Sequence, residues 1–169
     1  MKKLRTIELF AGIGSQKKAL YNSKIEHEVV GISEWNINSI IAYDKLHTDD
    51  GADYSNELKK MDIINKLKGF TFSNDGETVY DISKLNMEKL RMLYNANIRT
   101  KNLGSILDLK RLPVCDLLTY SFPCQDISSA GKGEGIKQGT RSGLLFEVER
   151  LLDTYEDKPK FLLMENRSE

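Results

Sequence analysis

The chain has 169 residues, 40% of them apolar and 30% charged, which suits one soluble globular domain with a core of its own. Its 25 basic and 25 acidic residues cancel. A free-standing nucleic-acid-binding domain is more often basic, so phosphate contacts, if there are any, fall largely to another segment. No apolar run approaches the ~20 residues that span a bilayer. The basic start Met1-Lys2-Lys3-Leu4-Arg5 leads straight into a strand-like segment, with no signal-peptide apolar region. A cytoplasmic protein with no membrane association is expected.

In chain order, the pattern alternates strand and helix. A short apolar strand over 5–10 is followed by the turn Gly12-Ile13-Gly14 and a helix from Ser15. A second strand covers 28–33, and Ile37, Ile40, Ile41 and Leu46 repeat at helical spacing. The stretch 48–103 is more polar and reads as an elaborated connection. Within it, 56–67 and 85–94 are helix-like, and Ser73-Asn74-Asp75-Gly76 marks a hairpin or loop over 70–80. A buried-type strand over 115–121 ends at Phe122-Pro123. Leu144, Leu145, Val148, Leu151, Leu152 and Tyr155 form a helical stripe, and 161–164 is another buried-type strand. Near-continuous apolar strands separated by helices predict a parallel α/β sheet covered on both faces. The sheet is expected to be incomplete at the C-terminus, with an edge left open, as in a fragment or one subunit of a split enzyme.

Cys115 and Cys124 form neither a Cys-x-x-Cys pair nor a metal spacing with His27 or His47, so neither a metal site nor a disulfide framework is expected. Both histidines read as ordinary surface residues.

Two regions carry chemistry. In open α/β sheets, ligands bind beyond the carboxyl ends of the strands. The first strand ends at Gly12-Ile13-Gly14, and Glu34 follows Gly14 by 20 residues, where a carboxylate accepts ribose hydroxyls. Lys17 stands where a dinucleotide fingerprint needs its third glycine, so a nucleoside-containing cofactor fits better than NAD. Trp35 offers a face for an adenine, or plain core packing.

The second region is the strand end at Cys124, ahead of the small and polar residues of 125–135. On the residues alone, Cys124 is either a nucleophile beside a mobile loop or an inert buried thiol; Cys115, at a strand start, reads as inert. Glu165 ends the next strand as a candidate acid partner or as a cap or ion-pair residue.

These segments together resemble the DNA cytosine-C5 methyltransferase family over nearly the whole chain outside the middle connection. Glu8-Leu9-Phe10-Ala11-Gly12-Ile13-Gly14 resembles the first family motif, where Asp is more usual than Glu8. Ser33-Glu34-Trp35 resembles the second. Ser121-Phe122-Pro123-Cys124-Gln125 matches the catalytic motif closely, Arg141-Ser142-Gly143-Leu144-Leu145-Phe146 looks like the next, and Met164-Glu165-Asn166 matches the start of the Glu-Asn-Val motif.

The resemblance implies a doubly wound, Rossmann-like S-adenosylmethionine-dependent methyltransferase fold over 1–169, with the target-recognition region and C-terminal motifs absent. It implies that Phe10, Ala11, Gly12, Ile13 and Gly14 border S-adenosylmethionine, that Glu34 binds its ribose and that Trp35 packs on its adenine. Ser105 and Ile106 lie near the adenine, and Pro123 and Leu144 line the same pocket. Cys124 attacks the base and Glu165 hydrogen-bonds the cytosine ring. Ser105 stands where the family often has an acid, and Arg167 replaces the usual valine.

The implied activity is methylation of C5 of cytosine in double-stranded DNA, in restriction-modification or phage self-protection. Two other readings stand beside it. One is an inactive or partner-dependent subunit joined to a second polypeptide that carries the target-recognition region. The other is the same cysteine chemistry on RNA.

Overall fold

A computed structural model describes residues 2–48, 51–122 and 142–166. Among them, four strands form one parallel sheet in the order β2-β1-β3-β4: β1 Leu4–Leu9, β2 His27–Ser33, β3 Leu117–Tyr120 and β4 Phe161–Met164. The helix α1, Ser15–Asn22, connects β1 to β2. After β2 comes α2, Ile37–His47, and α5, Leu145–Asp153, precedes β4. This is the α/β arrangement expected from the alternation of apolar runs and helical stripes.

Side chains alternate across the sheet, as a strand requires. Ile7, Leu9 and Leu118 point into one core with Val148, Leu151 and Tyr155 on the α5 side. Glu8 and Thr119 point to the other face, where Tyr43 of α2 and Gln16 of α1 meet them. The start of β3 is tied to β1 by a forked contact. Arg5 donates to Asp116 from its backbone N–H and from Nε, both at 3.1 Å. The Arg5 guanidinium holds the Asp116 carboxyl well below the usual carboxylate range.

The connection 48–103 builds a second core. Its helices α3, Lys60–Leu67, and α4, Met87–Arg99, pack Ile63, Leu67, Leu90 and Leu93 against Ile37, Ile40 and Ile41 of α2. Asn36 caps α2 by accepting from the N–H groups of Asn38 and Ser39, both at 3.0 Å, and Asn86 caps α4 through Lys89 at 2.8 Å. An ion pair between Arg99 and Asp44 joins α4 to α2. The expected loop over 70–80 is present, closed by an antiparallel bridge between Ser73 and Val79.

Two expectations are corrected. The helix predicted over 56–67 starts only at Lys60. Asp53 accepts from both the N–H and the hydroxyl of Ser55, and Glu57 adopts φ +66°; both divert the backbone from a helix. The second correction concerns β4. Its apolar run predicts a buried strand, yet Phe161, Leu162, Leu163 and Met164 are 55, 51, 47 and 54% exposed. β4 lies at the sheet edge, and no described element lies beyond it.

Candidate functional site

The carboxyl end of β1 turns through left-handed backbone: Phe10 has φ +54°, Gly12 φ +53° and Gly14 φ +86°. Gly14 is required twice over. A Cβ there would be strained by the backbone angle, and it would lie 2.3 Å from Nε2 of His47. The turn closes on itself through Gly14 N–H to Ala11 O at 2.9 Å and is held to β2 by Ala11 N–H to Ser33 O at 3.2 Å.

Glu34, at the end of β2, binds this turn from the side. Its Oε2 accepts the Gly12 N–H at 2.8 Å, while Oε1 accepts from Trp35 at 2.9 Å and Asn36 at 2.8 Å. Burial pushes the carboxyl above its ordinary range, against the pull of the Asn36, Gly12 and Trp35 N–H groups. A carboxylate has about four lone-pair sites. Oε1 uses two and Oε2 one, so Oε2 keeps one acceptor position for a further hydroxyl. Trp35 is half-buried. Its carbonyl accepts the Ser73 N–H at 2.8 Å, which docks the 70–80 loop beside it.

The third turn comes from the end of the connection. Leu103 N–H donates to Ile32 O at 2.7 Å, and Asn102 bridges Ile32 in parallel, a stub of strand along β2. The Asn102 side chain donates to Glu34 O at 3.0 Å and accepts from Glu34 N–H at 3.2 Å. Ser33 donates its hydroxyl to Gly104 O at 2.8 Å. Next to it, Ser105 is buried and accepts the Leu107 N–H at 3.3 Å. Ile106 is buried in the α5-side core, and Phe10 and Leu144 pack against the same core. Three turns, at 12–14, 34–35 and 104–106, thus meet at one end of the sheet.

The chemical end is adjacent. Gln16 of α1 donates to the Ser121 hydroxyl at 2.9 Å and accepts from Thr119 at 2.8 Å, which ties α1 to the end of β3. The Glu165 N–H donates to Tyr120 O at 3.0 Å, and Asn166 donates to Phe122 O at 3.5 Å. Glu165, exposed, therefore sits beside the strand end that leads to Pro123 and Cys124. Pro123 and Cys124 themselves lie outside the described residues, as do the 125–139 loop, Arg141 and Arg167. Cys115 is buried with Tyr155 nearby, and burial pushes its thiol up, consistent with an inert role.

Four residues take places here that no local sequence signal assigns: Asn102 on Glu34, and Glu8, Tyr43 and His47 around the glycine turn. Glu8 is fully buried and accepts from Tyr43 Oη at 2.8 Å through Oε2, while Oε1 has no hydrogen-bond partner. Its pKa is pushed up to about 7 by burial, against the Tyr43 hydrogen bond and the Lys17 charge. His47 was expected to be an ordinary surface residue. Instead its Nε2 reaches Ile13 O at 2.9 Å. Tyr43 and His47 are four apart on α2, so a shared helix face was readable in advance; what that face touches was not.

Among the described residues, no cluster of three or more His, Cys, Asp or Glu side chains could hold a metal, and no helix is long and apolar enough to cross a membrane.

Comparison with known proteins matches residues 58–169 to the family described as C-5 cytosine-specific DNA methylase. The chain is similar to "Orphan methyltransferase M.SssI" of Spiroplasma monobiae, 41% identical over 180 residues, covering 98% of this chain and 46% of that protein. It is likewise 41% identical over 170 residues to "Type II methyltransferase M2.ScrFI" of Lactococcus lactis subsp. cremoris, covering 96% of this chain and 47% of the relative. It thus spans about half the length of these two relatives. The crystal structure of S. pombe Dnmt2 methyltransferase aligns with 98% of this chain and 35% of its own, with a TM-score of 0.48 and 19% identity.

Proposed function

The chain belongs to the C-5 cytosine-specific DNA methylase family, and from that premise we propose that it forms the cofactor-binding and nucleophile-bearing part of an enzyme that methylates C5 of cytosine in double-stranded DNA. The observation that carries this reading is the set of three turns closed around Glu34, with one acceptor position left on Oε2 beside Gly12, where a Cβ would meet nothing within 4 Å. That position suits a ribose hydroxyl, and the half-buried Trp35 next to it suits an adenine face. The residues present therefore fit S-adenosylmethionine. Glu34 would hold its ribose, Trp35 its adenine, and Phe10 to Gly14 with Ser105, Ile106, Pro123 and Leu144 would border the rest. When bound, it supplies an electrophilic methyl group on sulfur.

The chain's own residues make cytosine reactive. C5 of cytosine is a weak nucleophile. The Cys124 thiolate adds to C6, forming a C–S bond and moving electron density onto C5. Glu165 hydrogen-bonds the ring and stabilises charge at N3 as it builds. Once C5 carries the transferred methyl group, its proton passes to solvent, the C6–S bond breaks, the C5–C6 double bond re-forms and the Cys124 thiolate is returned. The ring is reached from its faces, so the base leaves the duplex. The 125–139 loop is proposed as the cover.

The zero net charge and the exposed apolar β4 favour one addition: a second segment or polypeptide carrying the target-recognition region packs beyond β4 and supplies much of the phosphate contact. Action on DNA in the cytoplasm, in restriction-modification or phage self-protection, completes the proposal. In the enzyme so completed, Cys124→Ser is expected to lower methyl transfer by at least about 10³-fold and to abolish the covalent adduct with duplex DNA carrying 5-fluorocytosine. Retained activity in Cys124→Ser would end this reading.

A further inference from the structure

The glycine turn is gripped from both ends of one helix. Ahead of the N-terminus of α2, Glu34 accepts the Gly12 N–H at 2.8 Å. At the C-terminus, His47 reaches Ile13 O at 2.9 Å. A carbonyl can only accept, so Nε2 of His47 carries the proton. The imidazole also lies against Gly14, where a Cβ would come within 2.3 Å of Nε2 and 2.9 Å of the Tyr43 ring. His47 is itself braced. Its ring centroid is 4.9 Å from that of Tyr43, whose hydroxyl is fixed on buried Glu8, and Lys17 of α1 donates to the His47 carbonyl at 2.8 Å. Glycines take left-handed angles freely, but they also have the most freedom to leave them. A turn built on two of them needs an outside brace to hold one shape, and a pocket already shaped avoids the cost of ordering on binding.

We propose that His47 is a positioning residue for the methyl donor's pocket, fixing the turn at Ile13 and Gly14 from one end of α2 while Glu34 fixes Gly12 from the other. This rests on the reading that the glycine turn borders S-adenosylmethionine. His47 acts through the backbone it holds and touches no reacting atom.

Two readouts on the full chain test it. The first is amide hydrogen exchange at Gly12 and Gly14 without ligand. The second is equilibrium binding of S-adenosylhomocysteine. His47→Ala is expected to speed exchange at both glycines about tenfold, leave α4 unchanged, and raise the dissociation constant about tenfold, as loss of one braced hydrogen bond would. His47→Gln keeps an N–H donor and is expected to restore both readouts to within about threefold. Unchanged exchange at the glycines in His47→Ala would overturn the proposal. So would equal loss in both variants with α4 exchange accelerated, since that is the mark of general destabilisation. If the native chain binds no S-adenosylhomocysteine, the cofactor reading fails while the exchange comparison still decides the role of His47. If the native chain binds it and neither variant moves either readout, only the role of His47 fails.

Discussion

The two flanks of β1 are finished to different degrees. On the β2 side, polar groups are caged. Glu34 accepts three backbone N–H groups, Glu8 is sealed beneath Tyr43, and α2 is backed by a helical core of its own. On the β3 side the strand is well held inside by Arg5, Gln16 and β1, but the next strand leaves four consecutive apolar side chains half in water. A pocket that must recognise a small polar ligand gains from groups fixed in advance. An apolar strand open on its outer side gains from being covered. The difference teaches that the polar groups at the carboxyl end of β2 are already fixed by their neighbours, whereas β4 carries apolar side chains that no described element covers.

Three measurements press on that contrast. The largest effect is expected inside the shared core. Leu118 is fully buried between β1 and α5, and Leu118→Ala should cost about 2–5 kcal/mol in urea unfolding. A loss under about 1 kcal/mol there would mean that the sheet interior is no better packed than its edge.

The second concerns the caged carboxyl. Glu8 ordinarily titrates near 4.5 and here is pushed up to about 7, with burial as the chief cause. Between those values the native chain holds a proton that the unfolded chain has released. The stabilisation is therefore complete below 4.5 and disappears as pH climbs through 7. The expected decline from pH 5 to 8 is on the order of 2–3 kcal/mol. His47 works the other way, because burial and Lys17 favour its neutral form. The difference between the native chain and Glu8→Gln isolates the carboxyl, and parallel stability curves over that range would contradict a proton held on Glu8.

The smallest effect belongs to the outer strand. Leu163 is 47% exposed, so Leu163→Ala should change the stability of this chain by less than about 1 kcal/mol. A cost equal to that of Leu118→Ala would erase the contrast between the flanks. With a covering segment added, the same substitution should become destabilising, because the side chain then leaves a cavity.

How much of this could be read in the sequence follows from the range over which each signal acts. β1, α1, β2 and α2 were legible because apolar alternation and three-four spacing are local properties. The place of Glu34 beside the glycine turn was legible because its distance from Gly14 spans one helix and one strand. The start of α3 differs from the expectation because the apolar spacing of Leu58, Met61, Ile64 and Leu67 places a helix from 56, whereas an Asp53 side chain and a left-handed Glu57 redirect the backbone just ahead of Lys60. β4 was misread for a different reason. Four apolar residues in a row report that a strand is made to be buried, and say nothing of which protein segment buries it. His47 and Asn102 were missed because their partners, Ile13 and Glu34, lie 34 and 68 residues away. Nothing near either residue marks it.

Asn102 has one more consequence. Its amide meets both the N–H and the C=O of Glu34, much as a neighbouring peptide group would, and Leu103 occupies the β2 edge just before it. An edge strand normally offers a ladder of unpaired groups on which any passing strand can template itself. At the carboxyl end of β2, the Asn102 side chain and the Leu103 backbone close that ladder. Over that stretch a recruited strand, whether a proper partner or the seed of an aggregate, finds its place already taken.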